Sequence, residues 1–167
     1  METRTAELAE ANRHLSEREV ELKQVAFHDA LTELPNRRYL IERVEMALSD
    51  ARRRGESIAL LLIDLDHFKP INDGHGHDAG DLLLRTLSQR LRDLVRSSDM
   101  AARLGGDEFA VLLTGPNVEQ DAAQIAERLL HELSQPVPYR DATLAVTISV
   151  GAAFFPRHAD RFSQLYK

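Results

Sequence analysis

The stretch that most restricts the fold is Ile58–Leu65, "IALLLIDL", apolar at almost every position. Such a run fits a strand buried on both faces better than one alternating between core and water. It needs covering layers, and the flanks supply them. Asp78–Arg96 carries Leu83, Leu87, Leu91 and Leu94 on one helical face. Val118–Gln135 does the same with Val118, Ala122, Ile125, Leu129 and Leu133. Met100–Leu104 and Glu108–Leu113 read as short strands parted by Gly105-Gly106-Asp107, hence a hairpin. Thr143–Phe154 alternates, is rich in β-branched residues, and reads as one strand. The order from Ile58 onward is β-α-β-β-α-β, an α/β (α+β) ferredoxin-like core. In that topology the first and third strands are antiparallel neighbours. The "IDLD" end of the first then lies beside the "DEF" start of the third. Asp64, Asp107 and Glu108 are therefore predicted to converge at one sheet edge.

Upstream, residues 1–26 are polar and helix-prone, with neither Gly nor Pro. Leu8, Leu15 and Leu22 recur at heptad spacing, with Ala11, Arg18 and Val25 as the second set. That predicts a short coiled-coil stalk, with a solvated surface helix as the alternative. Residues 27–167 form the globular domain. Between them, Thr32 is a candidate cap, Pro35 a stop, and Asn36 the N-cap of a helix over Arg37–Arg54 that ends at Gly55.

Composition narrows the function. The formal charge is −6, against broad binding of a nucleic-acid polymer. There is no cysteine, so thiolate and disulfide chemistry are excluded. With no signal peptide visible and no apolar run near the roughly 20 residues that span a bilayer, this segment is expected to be cytoplasmic and itself free of membrane contact, alone or as the cytoplasmic portion of a larger membrane-anchored protein. His67, His75 and His77 do not have a recognised zinc spacing.

Three converging carboxylates repel one another, and a hard divalent cation relieves that repulsion. Glycines just before the acids let backbone N–H groups approach a phosphate. Together these point to metal-assisted phosphoryl or nucleotidyl transfer. A plain hairpin turn is the alternative for "GGDE" alone.

The chain also resembles the GGDEF family of bacterial diguanylate cyclases. The likeness lies in "DALTELPNRR" (Asp29–Arg38), "LLLIDLDHFKPINDGHGHDAGD" (Leu60–Asp81), "RLGGDEF" (Arg103–Phe109) and "ISVGAA" (Ile148–Ala153). It implies the nucleotide-cyclase and polymerase-palm type of this core. It also implies condensation of two GTP into cyclic di-GMP with release of two pyrophosphates, in a homodimer driven by an upstream sensor domain. Asp64, Asp107 and the Leu65 carbonyl would hold Mg²⁺ (or Mn²⁺). Glu108 would complete that site and assist deprotonation of the attacking hydroxyl. Gly105 and Gly106 would make close nucleotide contacts, and Phe68 and Lys69 would cradle phosphates. Asn72 and Asp81 would read guanine. Arg96, Asp99 and Arg128 would form an inhibitory site for the product. Read without the family, Phe68 is also a core candidate, Lys69 a rim charge, Asn72 a turn residue and Asp81 a helix first-turn charge. Arg90 and Asp93 share the R-x-x-D spacing of Arg96 and Asp99, and position before the hairpin favours the latter pair. Relatives carry an A-D-x-A-L-Y-x-A-K helix at the end, which "RFSQLYK" only partly matches, so a shortened C-terminus and weak activity are expected. A non-catalytic cyclic di-GMP receptor, a part joined to a phosphodiesterase domain, and a coiled-coil interaction module are the other readings.

Overall fold

The computed structural model describes residues 2–158 and Ser163, with backbone only for residues 2–9 and Glu21. The "RFSQLYK" ending, with Ala159, Asp160, Tyr166 and Lys167, falls outside them apart from Ser163, as does the Leu8 side chain. The chain begins with α1 (Glu2–Phe27) and α2 (Arg37–Arg54). A four-stranded sheet follows, built from β1 (Ser57–Asp66), β2 (Met100–Gly105), β3 (Glu108–Gly115) and β6 (Thr147–Phe155). Its order is β2-β3-β1-β6. All its pairings are antiparallel. Between β1 and β2 run α3 (Phe68–His75) and α4 (His77–Leu94), and α5 (Val118–Glu132) follows β3.

The apolar run of β1 is buried on both faces because it serves two cores. Ala59, Leu61, Ile63 and Leu65 pack with α4 and α5 through Leu83, Leu87, Ile125 and Leu129. Ile58 and Leu60 face the other way, against Leu40, Val44 and Leu48 of α2. Leu60 and Leu61 are both fully buried, so the central strand has no solvent face at its middle. The predicted core order is present, with two additions. α3 is inserted directly after β1. A small hairpin of β4 (Val137–Tyr139) and β5 (Ala142–Leu144) stands before β6.

Two local expectations change. Thr143–Phe154 is not one strand. Leu144 pairs with Val137 in the small hairpin, whereas Thr147 pairs with Asp66 in the main sheet. The chain changes sheets through Ala145–Val146, with Val146 buried at the crossing. Period-two alternation cannot reveal this, since both pieces alternate. Thr32 does not cap a helix either: its N–H and hydroxyl donate to Asp29 Oδ1 at 3.0 and 2.7 Å. Asn36 is the N-cap of α2, accepting from the Tyr39 N–H at 3.0 Å, and Gly55 closes that helix in the left-handed region.

α1 has a different character. Leu15, Leu22 and Val25 are between 66% and 82% exposed and lie outside either core, while Val20, 63% exposed, points from another side of the helix. Among the described residues no helix is long and apolar enough to cross a membrane.

Candidate active site

The end of β1 meets the β2–β3 hairpin. Asp64 stands opposite Glu108 on one side and opposite Ser149 of β6 on the other. Directly opposed residues of an antiparallel pair share a face. Glu108 therefore joins Asp64 on the α2 side of the sheet, beyond the cover that α2 provides. Asp107 lies in the turn itself, not in the strand, and its carbonyl accepts the Leu65 N–H at 3.2 Å. Neighbours within a strand point to opposite faces, and Asp107, being in the turn, is not held to that alternation with Glu108. Gly105 (φ 136°) and Gly106 (φ 52°) make it possible, since both occupy positive φ.

The electrostatics bear the mark of this convergence. Asp64 has its pKa raised, first by partial burial and then by the negative charges of Asp107, Glu108 and Asp66. Asp66 goes the other way. Hydrogen bonds from Ser149 Oγ (2.8 Å) and Thr147 Oγ1 (2.9 Å) hold its carboxyl below the usual range. A hollow of about 300 Å³ opens beside these groups, lined by Leu62, Asp64, Leu104, Glu108, Ser149 and Gly151.

The donor set fits a hard cation. Among the described residues no three Asp, Glu or His side chains form a preformed metal cage. Mg²⁺ does not require one. It takes one or two carboxylates and completes its shell with water and phosphate oxygens. Asp64 and Asp107 with the Leu65 carbonyl would make such a partial set, and a cation there would offset the mutual repulsion of the carboxylates around Asp64.

The remaining candidates lie at two other places. Phe68 and Lys69 open α3, so their N–H groups belong to a helical turn without intrahelical acceptors. Phe68 also packs partly on the core, and Lys69 is exposed, so their structural readings persist beside the phosphate one. Asn72 lies against α4: a Cβ added at Gly80 would sit 2.0 Å from Asn72 Oδ1 and 3.2 Å from Phe68 Cζ. That oxygen is buried and has no hydrogen-bond partner. Asp81 is half-buried one residue beyond Gly80. These groups flank the α4–α5 core, on the side of the sheet opposite the Asp64 side chain.

At the far end of the sheet, Arg96 donates to Asp121 at 3.2 and 3.5 Å. Asp99 accepts the Thr114 N–H at 3.3 Å, and its pKa is raised, chiefly by burial. Arg96, Asp99, Asp121 and Arg128 line a small hollow of about 30 Å³, and a larger one of about 510 Å³ adjoins it, reaching Arg43 and Arg54. Arg90 is committed elsewhere. It donates to the carbonyls of Glu132, Gln135 and Pro136 and ties off the end of α5. Arg90 is thus tied to backbone carbonyls, whereas Arg96 is tied to the Asp121 carboxylate at the edge of the hollow.

A family model described as "Diguanylate cyclase, GGDEF domain" matches residues 26–167. The chain belongs to the GGDEF family. This domain is 42% identical over 155 residues to "Diguanylate cyclase TpbB" of Pseudomonas aeruginosa, covering 92% of this chain and 36% of that protein. It therefore spans about a third of the length of that relative. Among solved structures, it resembles a sensory box/GGDEF family protein from Caulobacter crescentus, with a TM-score of 0.80 and 42% identity over 84% of this chain and 90% of that one. It also resembles the coiled coil and GGDEF domain of DgcB from the same organism, solved in complex with c-di-GMP. There the TM-score is 0.88 at 28% identity, over 99% of this chain and 88% of that one.

Sequence reasoning passed over several groups around the GGDEF hairpin. Asp66, Thr147 and Ser149 need the β1–β6 register before they form a unit. Gly80 matters only because Asn72 leans on it. Arg103 and Asp29 meet across 74 positions of sequence.

Proposed function

We propose that this domain condenses two GTP into cyclic di-GMP. The observation that carries the reading is the junction of β1 with the hairpin turn. There Asp64, Glu108 and Asp107 share one edge, and Asp64 feels the charge of the others. In the reaction, the 3′-hydroxyl oxygen of one GTP forms a bond to the α-phosphorus of the other, and the bond to the β-phosphate oxygen breaks, releasing pyrophosphate. The same exchange in the opposite sense closes the ring. A divalent cation held by Asp64, Asp107 and the Leu65 carbonyl would supply Lewis acidity and neutralise phosphate charge. Mg²⁺ or Mn²⁺ meets that need.

The chain's own residues do the rest. The N–H groups at the start of α3 and the Lys69 ammonium bind phosphate oxygens. Gly105 and Gly106, without side chains, leave the nucleotide room against the turn. The Asn72 amide bonds the O6 edge of guanine, and the Asp81 carboxylate accepts from N1 and N2. Adenine presents the opposite donor pattern and would leave both groups unpaired. Glu108, exposed beside Asp64, takes the hydroxyl proton. Each domain offers one such nucleotide site, so two domains must face each other, and holding the two substrates together supplies much of the rate. Residues 1–26 form a coiled-coil stalk that pairs the domains of residues 27–167 below an upstream sensor, in the cytoplasm; the exposure of Leu15, Leu22 and Val25 at heptad positions supports the stalk. Product binding at Arg96, Asp99 and Arg128 would couple a second site to activity.

The test is incubation of the full-length protein with GTP and Mg²⁺, followed by chromatographic separation of nucleotides. Cyclic di-GMP and pyrophosphate in a 1:2 ratio are expected. Their absence under dimerising conditions, with cyclic di-GMP still bound, would point to a receptor instead.

A further inference from the structure

One side chain joins the catalytic turn to the start of the domain. Arg103, on β2, is only 11% exposed at its side chain. Its Nε and Nη2 donate to the Gly106 carbonyl at 3.1 and 2.7 Å. Its Nη1 donates to Asp29 Oδ1 at 2.9 Å. The guanidinium fork therefore grips the carbonyl immediately before Asp107, on the turn whose next carbonyl holds the Leu65 N–H. Two N–H groups converging on one oxygen, with the third nitrogen held by Asp29, fix where the guanidinium sits against that carbonyl.

The other end of the grip is equally anchored. Asp29 Oδ1 also accepts the N–H and hydroxyl of Thr32. Burial opposes ionisation of Asp29, but the hydrogen bonds from Thr32 and Arg103 outweigh it and hold the carboxyl below its ordinary value. Its backbone N–H donates to the Leu34 carbonyl at 2.8 Å. The same connection holds the end of α1. The Asn36 N–H donates to the Phe27 carbonyl and its Nδ2 to the Ala26 carbonyl. Arg103 closes the circuit through its own N–H, which donates to the Pro35 carbonyl at 2.9 Å. Hydrogen bonds of 2.7–3.1 Å thus link the last turn of α1, the Asp29–Asn36 connection and Gly106.

We propose that Arg103 is the positioning residue of the Gly105–Glu108 turn and that, through Asp29, it couples that turn to the end of α1. Arg103 touches no reacting atom. It acts by keeping the Gly106 peptide, and so Asp107, in one orientation. The proposal rests on the assignment of Asp107 to the reaction for its functional meaning, but not for its physical test.

The test is amide hydrogen exchange on the nucleotide-free protein, comparing Arg103→Gln, Arg103→Lys, Asp29→Ala and the Arg103→Gln/Asp29→Ala double variant. In Arg103→Gln the amides of residues 104–108 should exchange at least about tenfold faster, the worth of one charge-assisted hydrogen bond. The centre of β1, residues 60–63, should keep its rate. Asp29→Ala should loosen the same turn, although it never touches it. The double variant should be no looser than Arg103→Gln, since Asp29 acts only through Arg103. Arg103→Lys keeps the charge but not the fork, so it should restore only part of the protection. An unchanged turn in Arg103→Gln would overturn the proposal. So would additive effects of the two changes, or loosening of the whole sheet, which would make Arg103 a general structural residue. Turnover is measured alongside. If the unsubstituted protein makes no cyclic di-GMP, the proposed function fails while the exchange data still decide the coupling.

Discussion

Replacing Asp64 with Asn should remove activity and at the same time stabilise the fold. Asp64 stands directly opposite Glu108, and its pKa is raised by burial and by three neighbouring carboxylates. Because the side chain is largely exposed, water screens most of that repulsion. Like charges facing each other across strands cost roughly 0.2–1 kcal/mol, so Asp64→Asn should gain about 0.5 kcal/mol. For a domain of this size that is about 1–2 °C in the unfolding midpoint. The pH dependence fixes the sign. The folded protein holds the Asp64 proton more tightly than the unfolded chain does. The penalty is therefore absent below the ordinary carboxyl value of 3.8 and fully present above the raised one. The advantage of Asp64→Asn should appear as pH rises through that window and shrink with added salt. Thermal unfolding at several pH values and salt concentrations measures it. Mg²⁺ in excess should raise the midpoint of the unsubstituted protein more than that of the variant. An Asp64→Asn protein less stable than the original at neutral pH would show that the carboxylate is holding the fold together, and would refute the reasoning.

Asp107→Asn should abolish GTP turnover with little loss of fold, since this residue sits in a turn; loss of the circular dichroism signal would make the acid structural. Gly80→Ala should drive Asn72 from its place, because the new methyl would lie 2.0 Å from Oδ1. Calorimetry should then show GTP binding weakened about tenfold or more, with discrimination against ATP reduced in step. Phe109→Ala removes a side chain that is 1% exposed in the α4–α5 core and should cost about 3–5 kcal/mol by denaturant titration. The lowered Asp29 contributes stability that is present above 3.8 and lost as pH falls through its depressed folded value, so Asp29→Ala should flatten the acid limb of the stability curve.

Much of this molecule is written locally. A strand with no polar face could only be central, two helices with leucines at three- and four-residue spacing could only cover it, and the order of elements then forced Asp64 toward Asp107 and Glu108. Asn36 began α2 and Gly55 ended it by their own chemistry, and the motifs named the family. Other decisions needed the fold. The split of Thr143–Phe154 depends on which partner each half finds, and two alternating pieces look alike until paired. The direction of Glu108 depends on where the turn ends and the strand begins, a matter of one residue. Arg90 and Arg96 share a spacing; position before the hairpin favoured Arg96, but that Arg90 binds the carbonyls closing α5 is visible only in the fold. Arg103 reaches Asp29 because β2 is the edge strand against the α1–α2 connection. Sequence period and turn chemistry act over a few residues, so they determine elements and their order; contacts across long separations are set by packing, and the coupling of the turn to α1 belongs to that second kind.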